Sequence, residues 1–240
     1  MRQLTTKEAV DNMIRVLLVS GKSRSTVKWQ SLDTSAKMLE VCDIFVRMQM
    51  EEDVAKLASD ILADLPWAED HFQERIGGVA SNPGEQYKNW PYWKVDERFM
   101  KEQQFSHTYQ ERFWPSGDHG RRYRTGDWQD VKERLAEDIT SRQTFLSIWH
   151  PEDQSNNGVR VPCTIGYWFS VRDGLLNITY LIRSCDARRH LRNDVYMTQR
   201  LAHQMLGHLL GQGHSVSLGV MNIWIGSLHC FESDKNYLIK

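Results

Sequence analysis

Two apolar, strand-like runs, Thr164 to Val171 and Leu175 to Ile182, are joined by Arg172-Asp173-Gly174. Asp-Gly accepts the positive φ angles of a two-residue turn whose twist matches that of paired strands, so the spacing predicts an antiparallel β-hairpin. Two strands alone are marginal in water and must bury one face against other elements. The rest of the chain supplies them. Thr5 to Val19 reads as a helix with Thr at its start, and Thr34 to Leu65 carries apolar residues at helical spacing, predicting one or two amphipathic helices. Pro66 to Trp93, with three tryptophans and Gly77-Gly78, reads as an irregular aromatic-rich connection. A helix after Asp127 leads into a strand over Ser141 to Trp149; Ala187 to Leu210 is helical, closed by Gly211 and Gly213, and Ser215 to Phe231 returns to strand character. This order predicts an α+β fold, helices packed on a mixed or antiparallel sheet. With 240 residues, 40% of them hydrophobic, one domain over residues 1–240 is expected.

A net charge of −1, spread without an acidic or basic tail, argues against a stable nucleic-acid partner. No apolar run approaches the roughly 20 residues that span a bilayer, and the N-terminus lacks a secretory pattern, so no membrane association and a cytoplasmic location (the host cytoplasm, if viral) are expected. The cysteines Cys42, Cys163, Cys185 and Cys230 form no Cys-x-x-Cys pair, which predicts free thiols, no disulfide framework and no metal site. Ser20 to Ser25 places two cations among small residues but lacks the spacing of a phosphate-binding loop, and reads as a solvated turn.

Cys163 stands in Val161-Pro162-Cys163-Thr164, at the start of the first hairpin strand, and Arg183-Ser184-Cys185-Asp186 ends the second. The turn folds one strand beside the other, so Arg183 and Cys163 are expected at one end of the sheet, where a guanidinium favours the thiolate nucleophile.

These motifs resemble the thymidylate synthase family. The Pro-Cys start of the hairpin, its Arg-Ser-Cys-Asp end and the helix that follows are joined by Ser141-Arg142 with Trp149-His150-Pro151, and by Gly226-Ser227-Leu228-His229-Cys230-Phe231, in the family's order over about residues 105 to 240. Leu191-Arg192-Asn193-Asp194 and Ile225 to His229 look closest to the bacteriophage-type deoxycytidylate (dCMP) hydroxymethylases of that superfamily. The resemblance implies a thymidylate synthase-like fold and a transferase. Its Cys163 adds to C6 of the pyrimidine, C5 takes a one-carbon unit from 5,10-methylenetetrahydrofolate, and water completes the 5-hydroxymethyl nucleotide. Asp194 occupies the position of the uracil-reading Asn. An Asn amide matches uracil O4 and N3–H, whereas a carboxyl group accepts from cytosine N4–H and shares a proton with N3.

By the same resemblance, Arg183 and Ser184 hold the 5′-phosphate of a pyrimidine nucleoside monophosphate, with Arg24 as a mobile phosphate ligand and Arg142 contributed across a homodimer interface. His229 contacts the sugar, Tyr109 is an active-site tyrosine, Asp186 lies near the folate, and Glu69, in preference to Glu74, handles protons. Three departures from the pattern bear on function. Gln143 replaces a second arginine, so phosphate binding is either weaker than the family pattern or supplemented by Arg121, Arg122 or Arg124; Phe231 stands where a sugar-contacting Tyr is usual; and the sequence stops at Lys240 without the family's long closing segment, which is expected to leave room for water. The alternatives are a dUMP methylase or hydroxymethylase on the same fold, and a non-catalytic nucleotide-binding protein.

Overall fold

The computed structural model describes residues 3–25, 36–114, 127–155 and 160–238. A six-stranded sheet runs through it in the order β1-β2-β6-β5-β4-β3. These strands are β1 (Lys22–Ser25), β2 (Lys37–Gln49), β3 (Phe145–Ser147), β4 (Thr164–Arg172), β5 (Leu175–Asp186) and β6 (Ser217–Phe231). All neighbours are antiparallel except β5 and β6, which are parallel. The hairpin forms as its turn chemistry predicts. Asp173 (φ 53°) and Gly174 (φ 72°) both take the left-handed conformation, and Arg172 pairs with Leu175 across the turn.

The parallel pair needs a crossover, and α7 (Leu191–Gly211) provides it. Leu191, Val195, Leu201, Ala202, Met205 and Leu209 of α7 are buried, and Ile178, Tyr180, Ile182, Met221, Ile223 and Ile225 of β5 and β6 form the sheet side of the same core. The first helix, α1 (Thr6–Ser20), starts at a capping box in which Thr5 and Glu8 satisfy each other's backbone amides. α2 (Val54–Ile61) and α3 (Trp67–Ile76) follow, then the short helices α4 (Trp93–Glu97) and α5 (Tyr109–Phe113), and α6 (Asp127–Glu137). The arrangement is the α+β fold expected, helices packed on a mixed sheet.

Four expectations are corrected. Within Thr34 to Leu65, Lys37–Gln49 is a strand rather than a helix, and only Val54–Ile61 is helical. Its apolar residues fit both periods, but Ile44, Val46 and Met48 turn inward while Phe45, Arg47 and Gln49 stay exposed, and pairing with β6 extends from Met38↔Phe231 to Gln49↔Val220. Ser20 to Ser25 is not a free turn: Gly21 caps α1, its amide bonding the Leu17 carbonyl, and Lys22–Ser25 forms the edge strand. Trp67–Ile76, expected to be irregular, is α3. The strand expected over Ser141 to Trp149 contracts to Phe145–Ser147, although the amides of Ile148 and Trp149 still bond the Ile165 carbonyl.

Side chains alternate across the sheet, so the row Phe45–Trp224–Leu181 and the row Arg47–Asn222–Thr179–Trp168–Phe145 share the face opposite the helices. Phe45 is 65% and Phe145 39% exposed on that face. No helix among the described residues is long and apolar enough to cross a membrane.

Candidate active site

Because β5 and β6 are parallel and β4 is antiparallel to β5, the start of β4 and the ends of β5 and β6 meet at one edge of the sheet, and the first turn of α7 rises beside them. Ligands commonly bind outside the carboxyl ends of parallel strands. A cavity of about 630 Å³ opens there, bordered by Cys163, Arg183, Ser184, Asp186, Asp194 and His229. Tyr109 of α5 and His71, Glu74 and Arg75 of α3 close another side, while Trp67, Tyr87, Trp90 and Phe105 form an aromatic wall.

Cys163 is held by its neighbours. The Arg183 amide bonds the Cys163 carbonyl at 2.9 Å, and the Arg183 side chain donates to the carbonyls of Pro162 (Nε, 3.0 Å) and Val161 (Nη2, 3.0 Å) with Nη2 3.9 Å from the sulfur. The sequence expectation of a lowered thiol pKa is corrected in its net direction. Burial pushes the thiol above its usual range, and Arg183 and Arg160 oppose that rise without cancelling it. The thiol is therefore protonated at rest, and the cations limit what ionising it costs.

Asp194 sits in the first turn of α7 with Oδ2 3.9 Å from the Cys185 sulfur, and it faces the cavity. Burial raises its carboxyl to about 7, against the pull of Arg75, so near neutral pH it is poised between acid and carboxylate. Charge on Asp194 also bears on Cys163 and Tyr109. Tyr109 hydrogen-bonds Thr164 at 3.1 Å, and Thr164 bonds Tyr180 at 2.9 Å, forming a hydroxyl chain beside the cysteine.

Seven of the residues expected at a site therefore border one cavity: Cys163, Asp194, Arg183, Ser184, Tyr109, Asp186 and His229. Three do not. The Glu69 carboxylate points between α3 and α7, where Arg200 grips it through two hydrogen bonds (2.8 and 2.9 Å) and Tyr196 and Gln73 add two more; the Arg200 bonds hold its pKa down to about 2. Glu74 borders the cavity instead, taking hydrogen bonds from Gln110 (2.6 Å) and the amides of Glu85 and Gln86. Gly84 lies so close to this carboxylate that a Cβ would collide with it. Arg24 is exposed on the edge strand, 3.7 Å from Glu40, and Arg142 is exposed before β3; neither reaches the cavity of its own chain. Arg121, Arg122 and Arg124 lie outside the described residues. Asp186 also caps the turn after β5, accepting from the amides of Arg188 (2.9 Å) and Arg189 (3.1 Å).

Sequence reasoning missed His71, Arg75 and Arg160, which also border the cavity. His71 and Arg75 read as ordinary polar helix residues until α3 is seen to turn them inward, and Arg160 becomes visible only through its ion pair with Asp96 (2.7 Å) beside Phe99. Among the described residues no group of three or more His, Cys, Asp or Glu is placed to hold a metal ion.

No curated protein matches the chain by sequence. Among solved structures, the thermostable thymidylate synthase A from Bacillus subtilis superposes with a TM-score of 0.68 over 97% of this chain and 82% of its own, at 18% identity. That likeness is one of fold. The family model described as Thymidylate synthase matches residues 70–238, which hold every cavity residue named above except Trp67. Enzymes of this kind transfer a one-carbon unit from methylenetetrahydrofolate to a pyrimidine nucleotide, and by that match the chain belongs to the thymidylate synthase family.

Proposed function

We propose that the protein is a hydroxymethyltransferase acting on a cytosine nucleoside monophosphate, dCMP or CMP. The observation that carries this reading is Asp194, a buried carboxyl of raised pKa that shares its cavity with the Cys163 thiol. A group that is both acceptor and acid near neutral pH complements cytosine, accepting from N4–H and sharing a proton with N3. Cys163 is the nucleophile for C6, with Arg183 favouring its thiolate. Ser184 and Arg183 bind the phosphate, although Arg183 already spends donors on Val161 and Pro162, and His229 meets the sugar. Glu74 replaces Glu69 as the proton-handling carboxylate, because it alone of the two borders the cavity.

Methylenetetrahydrofolate supplies the carbon at the oxidation state of formaldehyde, and the aromatic wall of Trp67, Tyr87 and Trp90 with Asp186 fits a flat heteroaromatic cosubstrate. Water then completes the hydroxymethyl group. A homodimer is part of the proposal: among the described residues no helix covers the sheet face bearing Phe45, Trp168, Trp224 and Phe145, and an apolar face of that kind suits a second copy, which would bring Arg142 toward a neighbouring cavity.

The test is incubation with dCMP, CMP or dUMP plus methylenetetrahydrofolate, followed by product mass. A hydroxymethylated cytosine nucleotide is expected. A methylated uracil nucleotide as the main product overturns the reading in favour of a thymidylate synthase-like methylase.

A further inference from the structure

Arg75 is 7% exposed, yet no carboxylate among the described residues forms an ion pair with it. Its Nε (3.1 Å) and Nη2 (3.0 Å) both point at one atom, Nε2 of His71, and its guanidinium carbon lies 4.1 Å from the centre of the Tyr109 ring. His71 is thereby fixed as a neutral acceptor. Burial, reinforced by the Arg75 charge, lowers its pKa to about 4, and its Nδ1 faces Glu74 Oε2 at 3.5 Å. The compensation for the buried cation is thus a neutral imidazole and a ring face, whereas an enclosed charge ordinarily requires an anion. The remaining guanidinium N–H groups have no protein partner among the described residues, and Arg75 borders the cavity. The geometry calls for a ligand atom that is an acceptor and becomes negative.

We propose that Arg75 binds the acceptor edge of the pyrimidine beside Asp194 and stabilises the charge that this edge gains when the Cys163 sulfur bonds C6. This rests on the functional reading above and adds a residue that reads and activates the base. Cytosine presents N4–H as donor and N3 and O2 as acceptors, so a carboxyl group and a guanidinium side by side complement it. The thiol first loses its proton to water. The S–C6 bond then forms as the C5–C6 π bond breaks, and the electron pair spreads from C5 through C4 to N3 and O2, where the guanidinium stands. Tyr109 links the parts: its ring carries Arg75, and its hydroxyl bonds Thr164, the residue after Cys163.

Protonation of this adduct at C5, loss of the other C5 hydrogen and reversal of the addition exchange that hydrogen with solvent, so the first step can be followed without folate. Wild-type protein, Arg75→Met and Arg75→Lys are incubated with dCMP in heavy water and the H5 proton signal is followed, with thermal melting and dCMP affinity measured in parallel. Arg75→Met is expected to slow exchange on the order of 100-fold while dCMP affinity changes far less. Its melting temperature should hold or rise, because an unpaired buried cation has been removed. Arg75→Lys should recover part of the rate. Exchange by Arg75→Met at the wild-type rate, or a loss that appears only with a fall in melting temperature, overturns this proposal alone. Absence of exchange by the wild type on dCMP, CMP and dUMP alike overturns the functional reading beneath it.

Discussion

The guanidinium of Arg183 stands 3.9 Å from the sulfur of Cys163 and is fixed there by the carbonyls of Val161 and Pro162, the residues immediately before that cysteine. One side chain thus shapes the approach to the nucleophile and supplies the nearest opposing charge. Position and electrostatics cannot be changed independently at this point in the fold.

Replacing Arg183 therefore has a signed effect on the thiol. Burial raises the Cys163 pKa and Arg183 is the largest influence that lowers it, so Arg183→Gln should leave less thiolate at pH 8. Thiolate absorbance across pH, with Cys163→Ala as the blank for the other cysteines, measures this. Arg183→Lys, which keeps the charge, should retain much of the thiolate; equal titration curves for wild type and Arg183→Gln refute the assignment.

The two glutamates of α3 separate structure from chemistry. Glu69 ties α3 to α7 through Arg200 and Tyr196, so Glu69→Gln should lower stability by about 1–2 kcal/mol and leave C5 exchange within a few-fold of wild type. Glu74→Gln should do the reverse, slowing turnover on the order of 100-fold with a smaller change in stability. Chemical denaturation and product formation on the same pair of variants provide the comparison. A dead Glu69→Gln enzyme that is still folded would return the proton-handling role to Glu69.

The contrast between these residues shows what a sequence exposes. The hairpin was legible because Asp173-Gly174 has few other uses, and its closure brings Cys163 and Arg183 together wherever else the chain goes. Strand β2 was not. Met38, Val41, Ile44, Phe45 and Met48 satisfy helical spacing while Ile44, Val46 and Met48 satisfy alternation, and what decides is β6, a partner nearly 200 residues downstream. Glu69 and Glu74 lie in one helix with similar neighbours, and the facing surface sets their roles: Arg200 on α7 claims one, and the turn at Gly84 leaves the other at the cavity. Arg75 was invisible for the same reason, since a buried guanidinium and a solvated one are spelled alike.

Asp194 sets a pH dependence of stability. Its carboxyl titrates near 3.8 in an unfolded chain and at about 7 in the fold. Below about pH 4 both states hold the proton and the contribution is fully present. Between 4 and 7 the unfolded chain ionises while the folded one does not, so stability falls as pH rises, and above about 7 the loss is complete. Its ceiling is on the order of 4 kcal/mol, and the cavity water that reaches the carboxyl reduces it. Asp194→Asn has no such proton, so its stability relative to wild type should improve between pH 4 and pH 8. Denaturation midpoints at the two pH values test this, and parallel behaviour of the two proteins refutes it.

The hydroxyl chain beside the cysteine runs from Tyr109 through Thr164 to a buried pair of stacked tyrosines. Tyr180 and Thr164 are each 1% exposed, and the Tyr180 hydroxyl bonds Thr164 with the Tyr167 hydroxyl beside both. Tyr109, Thr164, Tyr180 and Tyr167 thus satisfy one another's hydroxyls behind the cysteine. A Tyr109 phenolate is met by the Thr164 hydroxyl. Thr164→Val, which keeps the shape and removes the hydroxyl, takes a buried partner from Tyr180 and Tyr109 and should cost about 1–3 kcal/mol. It should also raise the Tyr109 pKa further above its already elevated value, slowing exchange at C5, whereas Thr164→Ser should restore both properties. Ultraviolet titration of tyrosine against a Tyr109→Phe blank, with exchange measured on the same proteins, decides the matter: a Val variant that matches the Ser variant in stability and in rate leaves the chain with no role.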